Sequence, residues 1–200
     1  MNNALRYLVA MVAICLITGC VTPWVLTEPG YLDKPSRYGL KLERPRQWYQ
    51  KQLRRTTVFT RNGLPLEYIL LERHKWRDTL TNGFTLPPDI LLHEIPGIIL
   101  GEYCARGYAF NLNVASNEIV VIDSIPCSLT RYTLTAPNSL TKKGMMYCIP
   151  FRRFLTILTY EAEASHYFDR SVDEFTDVAR SIVIRRKKYR ALPGIQGRVE

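Results

Sequence analysis

The chain has 200 residues, 46% of them hydrophobic, and its 27 Lys and Arg against 18 Asp and Glu give a formal net charge of +9. That is enough for one domain with a real core and hardly enough for two, so a single globular domain is expected. The strong basicity points toward an anionic partner surface, with plain solubility as the alternative.

Residues 1–19 read as a targeting segment. Arg6 and the amino terminus supply the positive end, and Tyr7 to Gly19 is apolar but too short for the roughly 20 residues of a spanning helix. The run closes with Leu16-Ile17-Thr18-Gly19-Cys20, which resembles the lipobox of bacterial lipoproteins. The resemblance implies cleavage before Cys20, a diacylglyceryl thioether on its thiol and acylation of its freed amine. At about 0.8 kcal/mol per buried methylene, such chains hold a protein on a membrane almost permanently. Val21 is not the aspartate that retains such proteins at the inner membrane, so the expectation is the periplasmic face of the outer membrane. Nucleic acid is absent there, which leaves anionic lipid, lipopolysaccharide or cell-wall polymer as basic-surface partners.

Residues 20–30, with two prolines and a glycine and no periodicity, read as a lipidated tether, with Trp24 either at the membrane interface or packed on the domain. Arg37 to Glu43 alternates as a first strand and stops at Arg44-Pro45, after which Gln47-Trp48-Tyr49 turns a corner. Thr56 to Thr60, then Arg61-Asn62-Gly63, then Leu66 to Arg73 is a hairpin signal, because Asn-Gly suits a tight turn between β-rich runs. Ile90 to Arg106 has helical composition, with Pro96-Gly97 expected to kink or split it. Phe110 to Val114, Glu118 to Ile125 and Ser128 to Thr135 form a meander, divided at Ser116-Asn117 and Pro126. Lys142-Lys143-Gly144 closes a loop before Met145 to Ile149.

Phe154 to Tyr160 is apolar and β-branched on both faces, as a central strand should be. Val172, Phe175, Val178, Ala179 and Ile182 then recur at helical spacing, and Ser171 with Glu174 forms a capping-box pattern at the start of that stripe. Residues 31–184 are thus the domain, and 185–200 a basic tail in which Arg185, Arg186, Lys187, Lys188 and Arg190 could contact an anionic surface.

Several strings fit one family: WYQ, TRNGLPLEYILLER, LPPDILLHEI, VVIDSIPCSLTRYTL and ILTYEAEASHYFDRSVDEFTDVARSIVI. They resemble uncharacterised bacterial lipoproteins with the α/β sandwich of PsbP-like proteins, over about residues 37–184, the final strand and helix most specifically. The resemblance implies an α+β fold, an antiparallel sheet of about six strands covered by two helices, and no catalytic residue. Pro96-Gly97 departs from the family's uninterrupted helix.

No chemical motif is complete. His93-Glu94 begins a zinc-protease HExxH, but Gly97 stands where the second histidine belongs, so no metal is expected, nor any cofactor. His74 and His166 have no ligand spacing. Cys104, Cys127 and Cys148 are odd in number for an oxidising compartment, and Cys127 with Cys148 on neighbouring β runs is the preferred disulfide, worth about 3 kcal/mol, leaving Cys104 as a core thiol. Glu161 and Glu163 would share one strand face as an acidic rim. The function expected is a membrane-anchored, non-catalytic accessory or binding module serving an envelope complex or anionic polymer. The alternative is an envelope hydrolase acting on cell-wall or lipid substrates, told apart by a deep pocket with perturbed acids and bases.

Overall fold

The computed structural model describes residues 23–33 and 35–184. Cys20, the targeting segment and the five cations of the tail lie outside them. Eleven strands run β1 (Val25–Leu26), β2 (Tyr31–Asp33), β3 (Leu40–Glu43), β4 (Tyr49–Gln52), β5 (Thr56–Thr60), β6 (Glu67–Lys75), β7 (Phe110–Ile122), β8 (Ile125–Thr135), β9 (Thr141–Phe151), β10 (Phe154–Glu163) and β11 (Val183–Ile184). Among the described residues three helices accompany them: α1 (Pro35–Tyr38), α2 (Ile95–Ala105) and α3 (Tyr167–Arg180).

The main sheet is antiparallel with eight strands in the order β1-β4-β5-β6-β10-β9-β8-β7, where about six were expected, and β11-β3-β2 form a second sheet of three. The expected count failed at the edges. Val25 and Leu26, read as tether, pair with Gln50 and Tyr49, in what was read as a corner. Strands this short carry no alternation of their own and exist through pairing with a longer neighbour.

β10 is central and buried on both faces, as its composition requires. On one face α3, the small sheet and the large aromatics Trp48, Phe59, Tyr160 and Phe175 make one core. On the other, Ile95, Ile99 and Leu100 of α2 pack on Leu155, Ile157 and Met146. The molecule is therefore a sandwich of helix, sheet and helix, with the small sheet beside α3.

Several local expectations are corrected. Pro96 does not kink a longer helix; it lies in the first turn of α2, where its missing N–H costs nothing. Helix α3 starts at Tyr167, four residues before the expected cap. Its start is bound instead by Glu163, whose carboxylate accepts from the Ser165 amide at 2.9 Å and the His166 amide at 3.1 Å. Ser171 sits inside the helix and donates to Glu67 at 3.2 Å. The meander turns at Asp123-Ser124, both with positive φ (47° and 67°), and Pro126 lies within β8.

The expected Cys127–Cys148 disulfide is not made, and Cys104, Cys127 and Cys148 are all free thiols. Cys148 stands opposite Ser128, so Cys127 is one residue out of register and points to the other face. Cys127 belongs to the α3 core and Cys148 to the α2 core.

Helix α2 is tied to the loop before it through Glu102, which accepts from Arg106 at 2.6 Å and from the Asn82 amide at 3.3 Å. Burial pushes this carboxyl up, but hydrogen bonds from Thr81, Arg106 and Asn82 win and hold it at about 2, against an ordinary 4.5. A depressed acid stabilises the fold at pH above its ordinary value, and that contribution is lost as pH falls toward 2.

Candidate site: a buried carboxylate beneath an apolar pocket

Glu161 was expected on a wet rim and is instead 3% exposed. Its position follows from parity: it points to the α2 face with Leu155 and Ile157 of the same strand. A buried carboxylate must be hydrogen-bonded, and here two phenols do it. Tyr132 donates to Oε1 at 2.7 Å and Tyr68 to Oε2.

The strand register explains how two tyrosines reach one acid. Tyr132 stands opposite Gly144, Gly144 opposite Glu161, and Glu161 opposite Tyr68, so one row crosses four strands. The Tyr132 ring lies across the bare backbone of Gly144. A Cβ there would sit 2.3 Å from its Cζ. Lys142-Lys143-Gly144, read as a loop from its composition, is therefore inside β9, and the glycine is the gap that lets a second tyrosine through.

Lys142 is 4% exposed, with its ammonium 4.8 Å above the Tyr68 ring and 3.4 Å from the Leu64 carbonyl. Burial lowers its pKa and the Glu161 charge opposes that. Burial, then the Glu161 charge, pushes both Tyr68 and Tyr132 well above the ordinary tyrosine value. Their protons stay on. The network continues along β6, where Tyr103 of α2 donates to Glu72 at 3.0 Å.

Above this floor opens a cavity of about 510 Å³, walled by Leu64, Pro65, Leu70, Tyr108 and Pro137, with Tyr68, Lys142 and Glu161 at its base. It is an apolar pocket with a few converging polar groups, the usual form of a small-ligand site. Tyr68 and Tyr132 are both committed to Glu161, one phenol on each oxygen, while the Lys142 ammonium has donors beyond its bond to the Leu64 carbonyl, so the floor is fixed in place and can position a group.

Other residues singled out by sequence stay apart from it. The His93 carbonyl accepts from Asn117 at 2.7 Å on the surface, and His166 stands at the N-cap position of α3 without a capping side-chain bond. Among the described residues no cluster of His, Cys, Asp or Glu could hold a metal ion. Burial pushes the Cys127 and Cys148 thiols up to about 12, so neither is a nucleophile at neutral pH. Tyr68, Tyr132, Lys142 and Gly144 were missed from sequence; the available signal was Glu161 on the same face as Leu155 and Ile157 in a strand buried up to its last residue.

An α+β sandwich of this order, with a long antiparallel sheet between a covering helix and a second, terminal one, defines a fold class. Similar solved structures place that class as PsbP-like. A cyanobacterial PsbP, CyanoP of Synechocystis, has a TM-score of 0.58 at 13% identity, over 84% of this chain and 99% of that one. The Ran-binding protein Mog1p of Saccharomyces cerevisiae has a TM-score of 0.50 at 6% identity, over 80% of this chain and 96% of that one. A Bacteroides thetaiotaomicron protein also gives 0.50, at 9% identity, over 80% of this chain and 49% of that one, so this chain spans about half of it. No family model matches the sequence, and no curated protein matches it significantly.

Proposed function

We propose that this chain is an accessory protein of the bacterial envelope, held by acyl groups on Cys20 at the periplasmic face of the outer membrane, and that it works by binding. The pocket over Glu161 is its binding element. The observation that carries this is the open apolar wall above a floor in which Tyr68 and Tyr132 both donate to Glu161 and the Lys142 ammonium keeps donors beyond its bond to the Leu64 carbonyl. An apolar group of a partner enters, and Lys142 meets a hydrogen-bond acceptor on it. Folds of this kind carry function in grafted sites, and here the site is built for recognition.

Hydrolysis is the weaker reading. It needs a base that can reach substrate or water, and Glu161 is 3% exposed with a phenol donating to each oxygen.

The test places a photo-crosslinking residue at Tyr108, 60% exposed on the pocket rim, in full-length protein in intact cells, with Tyr31 as the control position on the small sheet. One discrete partner is expected at position 108 and not at 31, and Leu70→Trp, which fills the cavity, abolishes it. The same background at both positions contradicts the pocket as binding element.

A further inference from the structure

The other end of the sheet is strongly cationic. A cleft of about 360 Å³ is lined by Arg37, Arg54, Arg55, Arg73 and Lys75, with no carboxylate among them. Arg37 and Arg73 are held by backbone carbonyls and Arg55 is paired with Asp78. Arg37 donates to the Leu53 carbonyl at 3.1 Å, Arg73 donates to the Arg37 carbonyl at 3.0 Å, and the Arg73 guanidinium lies 4.4 Å over the Phe154 ring. Asp78 binds Arg55 at 3.2 Å, and the Asp123 carboxylate is occupied by the Ile184 amide at 2.7 Å. Arg73 sits below its ordinary value because of burial, then the charges of Arg55 and Arg37. An anion in the cleft would relieve that repulsion. Arg152 and Arg153, exposed between β9 and β10, extend the same end, since Phe154 pairs with Lys75.

Apolar groups accompany the charges. Trp24 is 39% and Leu53 45% exposed, and the Lys51 ammonium lies 5.7 Å over the Trp24 ring. Aromatic and aliphatic side chains among Lys and Arg are the pattern of a surface that seats in lipid headgroups. The chain's attachment points are here too. Val25 pairs with Gln50 in antiparallel register, which runs the described amino end toward Leu53, and Ile184, the last described residue, pairs with Leu40, three positions from Arg37. Residues 1–22 with Cys20, and residues 185–200 with Arg185 to Arg190, both join the domain at its cationic end.

We infer that this end docks on the phosphate headgroups of the membrane that holds the chain, with the Arg37–Arg54–Arg55–Arg73–Lys75 cleft receiving them and Trp24 and Leu53 entering the interface. The pocket over Tyr108, at the opposite end of the strands, then faces away from the lipid. The inference rests on the reading of Cys20 as acylated.

The test reconstitutes the full lipoprotein, extracted from native membranes, in vesicles whose lipids carry bromine at a shallow acyl position, and reads tryptophan fluorescence. In phosphatidylcholine with about a third phosphatidylglycerol, Trp24 should be quenched at least twofold more than in phosphatidylcholine alone, and 0.5 M salt should remove the difference. The Arg54→Gln, Arg55→Gln, Lys75→Gln variant, shown by its melting curve to be folded, should fall to the phosphatidylcholine level. Trp24→Phe identifies the reporter. Quenching that is equal in both vesicles, or unchanged in the triple variant, overturns the docking. Protein that fails to float with either vesicle overturns the acylation instead, so the two failures are distinct.

Discussion

Gly144→Ala will unfold this domain far more readily than its chemistry suggests, lowering stability by about 3 kcal/mol in a urea titration. The glycine needs no unusual backbone angle; what it provides is space. The added methyl would stand 2.3 Å from Tyr132 Cζ, 2.5 Å from Cε2 and 2.7 Å from the hydroxyl. That ring cannot step aside, because it is 2% exposed and its hydroxyl is 2.7 Å from Glu161. Displacing it loses packing and a hydrogen bond to a charged acceptor together. The cost should shrink to below about 1 kcal/mol when Tyr132 is already Ala, because the two positions share one space. Additive losses in that double-mutant cycle would mean that Gly144 is not the gap for the tyrosine.

The second large effect comes from taking both phenols away. Tyr68→Phe with Tyr132→Phe keeps the shapes and removes the donors, leaving Glu161 in a buried place with its two oxygens bare. A hydrogen bond to a charged group contributes about 1.5–3 kcal/mol, so the pair should cost about 4 kcal/mol. The informative step is the third substitution. Glu161→Leu in that background removes the stranded charge and should return at least half of the loss, because apolar replacement of a whole polar set is close to neutral. A double variant as stable as the parent, by thermal and urea melts, would show that the carboxylate is not held as described.

Much of the frame was legible because it is locally encoded. Asn62-Gly63 between β-rich runs marks the β5–β6 hairpin, and the two-sided apolar run of Phe154 to Tyr160 marks a central strand. Val172, Phe175, Val178 and Ala179 mark the core stripe of α3. What escaped depends on partners distant in the chain. Val25 and Leu26 become a strand only because β4 is there to pair with. Asp123 and Ser124 turn the long hairpin because small polar residues tolerate left-handed backbone, a weaker mark than glycine.

The site was least legible of all. Tyr68, Tyr132 and Glu161 are separated by at least 29 residues and meet only through register across four strands. Gly144 between two lysines and two methionines has the composition of a loop, and its role is visible only once the Tyr132 ring is beside it. The disulfide failed for a related reason. Neighbouring strands suffice to bring two cysteines near, but one residue of register decides whether they face each other, and Cys127 and Cys148 do not.

The proposed attachment of a PsbP-like domain to a membrane through Cys20 is tested by the intact mass of the chain extracted from native membranes. The expected mass is that of a polypeptide that begins at Cys20 and carries a diacylglyceryl group with a further acyl chain on its amine, and a Cys20→Ala protein should be neither cleaved nor acylated. A chain that retains residues 1–19, or one cleaved elsewhere and bearing no lipid, would contradict it.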